Sequence, residues 1–136
     1  MSDLTPQVEL MYARVWREGD LGAALGSLPD DFEWVVPGHP EGALRRGPHA
    51  VTEFFRDWIA QWDDPDTEWK LEQTRPDTVL AIVTTRGRGR ASGVPVEMNF
   101  AQVWTFRDGR PVRMVLYPDA EKGRRAAGLA SPPPSP

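Results

Sequence analysis

Few side chains in this 136-residue sequence carry the chemistry of a site. There is no Cys, and the only histidines are His39 and His49. Without Cys, disulfides, thiolate metal sites and thiol nucleophiles are all excluded. His39 lies in the breaker-rich stretch Pro37-Gly38-His39-Pro40-Glu41-Gly42. With Glu41 and His49 it could hold a metal, but two His and one Glu across a loop and a helix start form a pattern of low specificity. The reading adopted is no metal and no cofactor. His39 with the Asp119 carboxylate would make a sensible acid/base pair, against the alternative of a solvated loop histidine. Asp119 also precedes a short helical stretch, where it can serve as an N-cap with no chemistry at all. Ser-His-Asp spacing, a phosphate-binding glycine loop and an HExxH motif are absent.

The most informative polar residue is Gln102, because of where alternation places it. Phe100 to Asp119 reads as a β-hairpin around Asp108-Gly109. Met98, Phe100, Gln102, Trp104 and Phe106 share one face of the first strand, and Val112, Met114 and Leu116 alternate on the second. A two-residue turn would set Trp104 opposite Arg113 and split the apolar sets between faces. A three-residue loop, Arg107-Asp108-Gly109, with Gly109 left-handed, pairs Gln102 with Met114 and Trp104 with Val112. The second register is expected, and it leaves Gln102 alone in an apolar face.

Composition bounds the rest. Hydrophobic residues make up 40% and charged residues 26%, as in ordinary soluble globular domains. Six Trp in so short a chain point to large core anchors or an aromatic-lined cavity. A net charge of −4 argues against a nucleic-acid binder held by phosphate attraction. The start MSDLTPQVEL has neither the basic nor the apolar part of a signal peptide. No apolar run approaches the ~18 residues of a membrane span. A cytoplasmic protein is expected, with one domain over 1–130 and a disordered Pro/Ser tail over 131–136.

Elements follow from periodicity. Thr5 as N-cap and Pro6 open a helix striped by Val8, Met11, Tyr12, Val15 and Trp16. Gly19 stops it, and Asp20 caps a shorter helix. A strand from Phe32 to Val36 precedes the breaker-rich loop. A short extended piece ends at Arg45-Arg46-Gly47, and Pro48 starts a third helix with the stripe Val51, Phe54, Phe55, Trp58, Ile59 and Trp62. Asp63 to Asp66 ends that helix. Strands follow at Glu68–Thr74 and Thr78–Arg86, then a glycine-rich link from Gly87 to Gly93, then Val96–Phe106 and the hairpin. Ala120 to Leu129 reads as a weak helix. The pattern is α+β: three N-terminal helices packed on a strongly curved antiparallel sheet. Arg45-Arg46 would face an anionic ligand or an exposed edge. The run Arg86-Gly87-Arg88-Gly89-Arg90 lacks the interleaved aromatics of RNA-binding segments and reads as a hairpin connection. Ala101, Val103, Val115 and Tyr117 make the outer hairpin face partly apolar, so a homodimer packed through the outer sheet face is expected.

Six stretches, VWREGDLGAAL, DDFEWVVPG, LRRGPHAVTEFF, SGVPVEMNFAQVWTFRDGR, LYPD and AAGL, occur in an order and spacing that resembles the SnoaL-like branch of the nuclear transport factor 2-like superfamily. The resemblance spans roughly residues 8 to 129. It implies a cone: a curved sheet whose concave face, closed by helices, encloses an apolar pocket. Similar cones serve as isomerases, polyketide cyclases, dehydratases, epoxide hydrolases and non-catalytic binders, so fold alone does not give function.

The resemblance also implies site residues. Tyr12 matches the oxyanion tyrosine of ketosteroid isomerase, and Gln102 matches its protonated aspartate; an amide still donates a hydrogen bond. The isomerase base is missing, since Val36 precedes Pro37. The Asp-Arg-Asp set of the epoxide hydrolases is missing from Asn99-Phe100-Ala101-Gln102. Asp119 lies near the acid/base position of the SnoaL-type cyclases. The candidate catalytic residues are therefore Tyr12, Gln102, Asp119 and His39. Trp34, Trp58, Trp104 and Met114 are the candidate contacts to a small hydrophobic, carbonyl-bearing molecule. An isomerase- or cyclase-type enzyme and a non-catalytic binding domain both remain open.

Overall fold

The computed structural model describes residues 3–37 and 44–128. The tail at 131–136 and the loop containing His39 and Glu41 lie outside the described residues. Helices α1 (Thr5–Trp16) and α2 (Leu21–Leu25) come first, followed by strands β1 (Glu33–Val35) and β2 (Leu44–Arg46) and helix α3 (Pro48–Ile59). Four strands complete the sheet, β3 (Trp62–Arg75), β4 (Thr78–Gly89), β5 (Pro95–Arg107) and β6 (Arg110–Tyr117), and α4 (Ala120–Ala126) closes the described chain. The six strands form one open, curved sheet in the order β2-β1-β6-β5-β4-β3. All neighbours are antiparallel except β1 and β6, which run parallel with Trp34 beside Met114. The sheet is thus mixed rather than purely antiparallel.

Alternation decides which residues meet the helices. Val79, Ala81 and Val83 of β4, Phe100 and Trp104 of β5, and Met114 of β6 point to the concave face. There they pack with Val8, Tyr12 and Val15 of α1, Leu25 of α2, and Val51 and Phe55 of α3. Trp104 is 1% exposed at the centre; burying a ring of that size is worth roughly 4–6 kcal/mol. The convex face holds a second, smaller cluster: Leu80, Ala101 and Val103 of the sheet with Ala127 beside α4. A Cβ on Gly123 would collide with that of Ala101, so the glycine lets α4 lie directly on the sheet. The apolar outer face expected to receive a second copy is thus partly covered by the chain's own α4.

The hairpin register differs from expectation. Arg107 pairs with Arg110, so the turn is the two-residue Asp108-Gly109, with φ of 52° and 75°. The ladder then shifts, with Phe106 opposite Pro111 and Thr105 opposite Arg113. Trp104 faces Met114 and Gln102 faces Leu116, not Val112 and Met114. The extra residue sits in a bulge beside Val112, where Pro111 lacks the N–H for a regular ladder. A bulge and a three-residue loop each restore the same parity, so Gln102 still lies on the inner face.

Other boundaries shift for packing reasons. Trp62 begins β3 instead of ending α3, and is buried against Trp58 with ring centroids 5.5 Å apart. Asp63 to Asp66 forms an irregular part of that strand, with Asp64 at φ 49°. Gly87 belongs to β4, not to a link: a Cβ there would lie 2.9 Å from the Trp62 ring and 3.1 Å from the Asp63 carbonyl oxygen. At the N-terminus, Leu4 rather than Thr5 holds the cap position, and the Asp3 carboxylate accepts from both the Thr5 N–H and its hydroxyl. Asp20 caps α2 through the Ala23 N–H at 3.0 Å.

Candidate functional site

Three buried side chains form a hydrogen-bonded chain in the concave face. Helix α1 supplies Tyr12; β5 supplies Gln102 and Trp104, which share a face by the period of two. The Trp104 indole N–H donates to the Tyr12 hydroxyl at 3.0 Å. That hydroxyl donates in turn to the Gln102 side-chain oxygen. Tyr12 and Gln102 are 4% and 6% exposed. Burial pushes the Tyr12 phenol well above its ordinary range, opposed by the Trp104 N–H, which favours the phenolate. Tyr12 therefore keeps its proton and spends it on Gln102. The Gln102 amide nitrogen, by contrast, donates to no acceptor among the described residues.

Two cavities adjoin this chain. The inner is a void of about 30 Å³ against Tyr12 and Trp104, ringed by Met11, Val15 and Leu25. The outer, about 320 Å³, lies between β1, α3 and the β5–β6 pair, with Phe54, Trp58, Met98 and Leu116 on its walls. Four residues border both: Trp34, Phe55, Phe100 and Gln102. Among the described residues the Trp34 indole nitrogen is buried with no hydrogen-bond partner. Among the described residues on either wall, Tyr12 is the one titratable group.

The candidate residues thus separate. Tyr12, Gln102, Trp34, Trp58 and Trp104 converge on the two cavities. Met114 is fully buried and borders neither, packing as core between Trp34 and Trp104 on the neighbouring strands. Asp119 is exposed and accepts from the Lys122 N–H at 2.8 Å, capping α4. His39 lies outside the described residues. His49 is exposed on α3, 3.2 Å from Glu53, and no cluster of metal-binding groups occurs among the described residues. Arg45, opposite Trp34 on β2, places its guanidinium 5.0 Å from the centre of the Phe54 ring, while Arg46 pairs with Glu33 at 3.0 Å. Arg86 pairs with Glu97 at 2.6 Å, and Arg90 with Asp63 at 3.2 Å. Phe55 and Phe100 are site residues that sequence reasoning misses. Their signals are present nonetheless, since Phe100 shares the parity of Gln102 and Phe55 lies on the α3 stripe beside Trp58.

The profile of the SnoaL-like domain matches residues 8–114. No match is found among proteins of curated function. Among solved structures, an NTF2-like protein of unknown function from Burkholderia pseudomallei superposes with a TM-score of 0.74 at 21% identity, covering 95% of this chain and 100% of that one. TerC, co-crystallised with polyporic acid, gives 0.71 at 21% identity over 93% of this chain and 98% of its own. A Catenulispora acidiphila protein with a ketosteroid isomerase-like fold, in complex with trimethylamine, gives 0.69 at 16% identity over 93% and 95%. These likenesses establish the fold. Among the described residues no helix is long and apolar enough to cross a membrane.

Proposed function

Starting from a chain that belongs to the SnoaL-like domain family, we propose that its outer cavity binds a small hydrophobic, carbonyl-bearing molecule. The observation that carries this reading is the Gln102 amide: its nitrogen donates to no acceptor among the described residues, and it borders a wall that, Asn99 apart, is aromatic and aliphatic. Buried polar groups are normally partnered, and a cavity of about 320 Å³ falls at the lower end of the range for small-molecule sites. That similar folds were crystallised with polyporic acid and with trimethylamine supports a small-molecule ligand.

Binding without chemistry is the first reading, because the described walls offer no carboxylate, Lys or His as a base. An isomerase- or cyclase-type reaction is the second. Val36 lines the outer cavity, and His39 stands three residues later in the sequence. In that reading His39 is the acid/base and Gln102 holds the carbonyl oxygen; Asp119 contributes only if it gives up its cap.

Tryptophan emission tests the site, since Trp34 and Trp58 line it and the absence of Cys removes thiol addition as a side reaction of quinones. Titration with 1,4-naphthoquinone should quench emission saturably. Leu116→Trp, which fills the outer cavity, should abolish the saturable part while keeping a cooperative melt. Linear quenching in the wild type, or unchanged binding in the filled variant, refutes the assignment.

A further inference from the structure

Among the described residues two cationic side chains are partly buried, Arg14 and Arg45; every other Arg, Lys and His there is exposed. Arg45 lies over the Phe54 ring at 5.0 Å. Arg14 makes no ion pair, hydrogen bond or ring contact among the described residues. Exposed guanidiniums elsewhere do find carboxylates: Arg46, Arg86, Arg90 and Arg125 pair with Glu33, Glu97, Asp63 and Glu121 at 3.0, 2.6, 3.2 and 2.6 Å. Drawing a guanidinium partly out of water without an anion beside it is unfavourable.

Arg14 stands on the wall of a third space, an open groove of about 230 Å³ between α1, α2 and the start of β6. Helical spacing builds one side of it. Gln7, Leu10, Met11 and Arg14 follow the i, i+3, i+4, i+7 stripe of α1, beside the stripe that enters the core. The Gln7 amide donates to the Gly109 carbonyl oxygen at 2.9 Å, which ties the hairpin turn to α1 and brings Arg110 onto the same wall. Leu28 and Pro111 add apolar surface, Ser27 adds a hydroxyl, and Leu10 is 49% exposed. Arg110 also lacks an ion pair among the described residues, and it stands directly across the hairpin from Arg107. Like charges set opposite each other destabilise a strand pair, so this end is locally basic although the chain carries −4. Among the described residues no carboxylate lines the groove.

We infer that this groove is a second ligand site, which takes an organic carboxylate on a compact apolar body, with Arg14 and Arg110 as its charge partners. The planar guanidinium fork matches a carboxylate and makes charge-assisted hydrogen bonds to it. The body, a single ring or a short alkyl chain at this volume, covers Leu10. The site does not depend on the outer cavity, since no residue lines both. A neutral analogue would leave both guanidiniums unpaired, and an inorganic anion would leave Leu10 in water. The competing explanation is a long side chain that lays its methylenes on apolar surface and keeps its head in solvent, with no ligand needed.

The test titrates uniformly ¹⁵N-labelled full chain with benzoate, and with benzyl alcohol as its neutral analogue, following the backbone amides of Leu10, Arg14 and Arg110. Benzoate should move these amides saturably, and benzyl alcohol should bind about tenfold more weakly. Arg14→Gln and Arg110→Gln should each weaken benzoate about three- to tenfold, and Arg14→Lys less than Arg14→Gln. Arg113→Gln, on the convex face of β6, removes the same charge and should change the affinity by less than about twofold. Leu10→Glu, at an exposed position that leaves the core intact, should abolish binding by repulsion. Leu116→Trp, which fills the outer cavity, should leave benzoate binding as it is. Equal affinity for the two probes, wild-type affinity in both arginine variants, or no saturable shift at millimolar benzoate overturns the site. Binding that is lost in Leu116→Trp overturns it too, while supporting the outer cavity. Inorganic phosphate that competes as strongly as benzoate itself overturns the assignment to an organic carboxylate.

Discussion

Replacing Tyr12 by Phe probes the buried chain at its middle link. The substitution keeps the ring, which packs against Trp69 and Trp104 at 5.6 and 6.2 Å, and removes only the hydroxyl. Two groups then lose their partner at once: the Trp104 N–H and the Gln102 oxygen. Each unsatisfied buried group costs about 1–3 kcal/mol. The deleted oxygen adjoins the inner void of about 30 Å³, so a water can enter and recover part of that loss. The expected net destabilisation is about 2–4 kcal/mol, a large share of the roughly 5–15 kcal/mol that holds a domain folded. Equilibrium urea unfolding measures it, with the slope unchanged if only native stability is affected. Gln102→Leu completes a double-mutant cycle, and the coupling between the two positions should be about 1–2 kcal/mol. A loss below about 0.5 kcal/mol for Tyr12→Phe, or no coupling to Gln102, would refute the hydrogen-bonded chain as described.

The same tyrosine gives a pH signature. Its folded pKa is raised by burial, so its contribution is complete below the unfolded value of about 10 and is lost as pH climbs above that. The wild type should lose up to about 1.4 kcal/mol per pH unit more than Tyr12→Phe in that window, read from urea midpoints at pH 9 to 11. Asp119→Ala removes the α4 cap and should cost about 0.5–2 kcal/mol, seen in thermal melts, while quinone quenching at neutral pH stays unchanged; a loss of quenching would return Asp119 to the site. Gly123→Ala forces a methyl group onto Ala101 and should cost about 1–3 kcal/mol, with faster amide exchange in α4. A Gly123→Ala variant as stable as the wild type would mean that α4 does not rest on the sheet as described.

Much of the architecture could be read directly. Period 3.6 in α1 and α3, period two in β4 to β6, and breakers between them are local properties of the chain, so element type and the inner-facing parity of Gln102 followed from residues alone. The family resemblance rested on the same local stretches. What failed were features whose energy is non-local. The place of the extra hairpin residue depends on Pro111 meeting Phe106 across the ladder, and a turn or a bulge satisfies the same alternation. Trp62 changes from helix to strand because Trp58 and Gly87 make room for its ring. The outer face looked open because nothing in Ala101 or Val103 reveals that Gly123 brings α4 down upon them.

The site divides the same way. Residue types and alternation alone determined the chemical inventory: no thiol, two histidines, one polar residue on an apolar strand face, and six tryptophans. They could not say how those groups partner, because hydrogen bonds join positions 90 and 92 residues apart. Only the packing of α1 onto β5 decides that the Tyr12 proton goes to Gln102. Only the docking of β1 between β2 and β6 buries the Trp34 N–H without a partner among the described residues. Donor and acceptor types are written in the chain; whether they are spent or unspent is a property of the folded core.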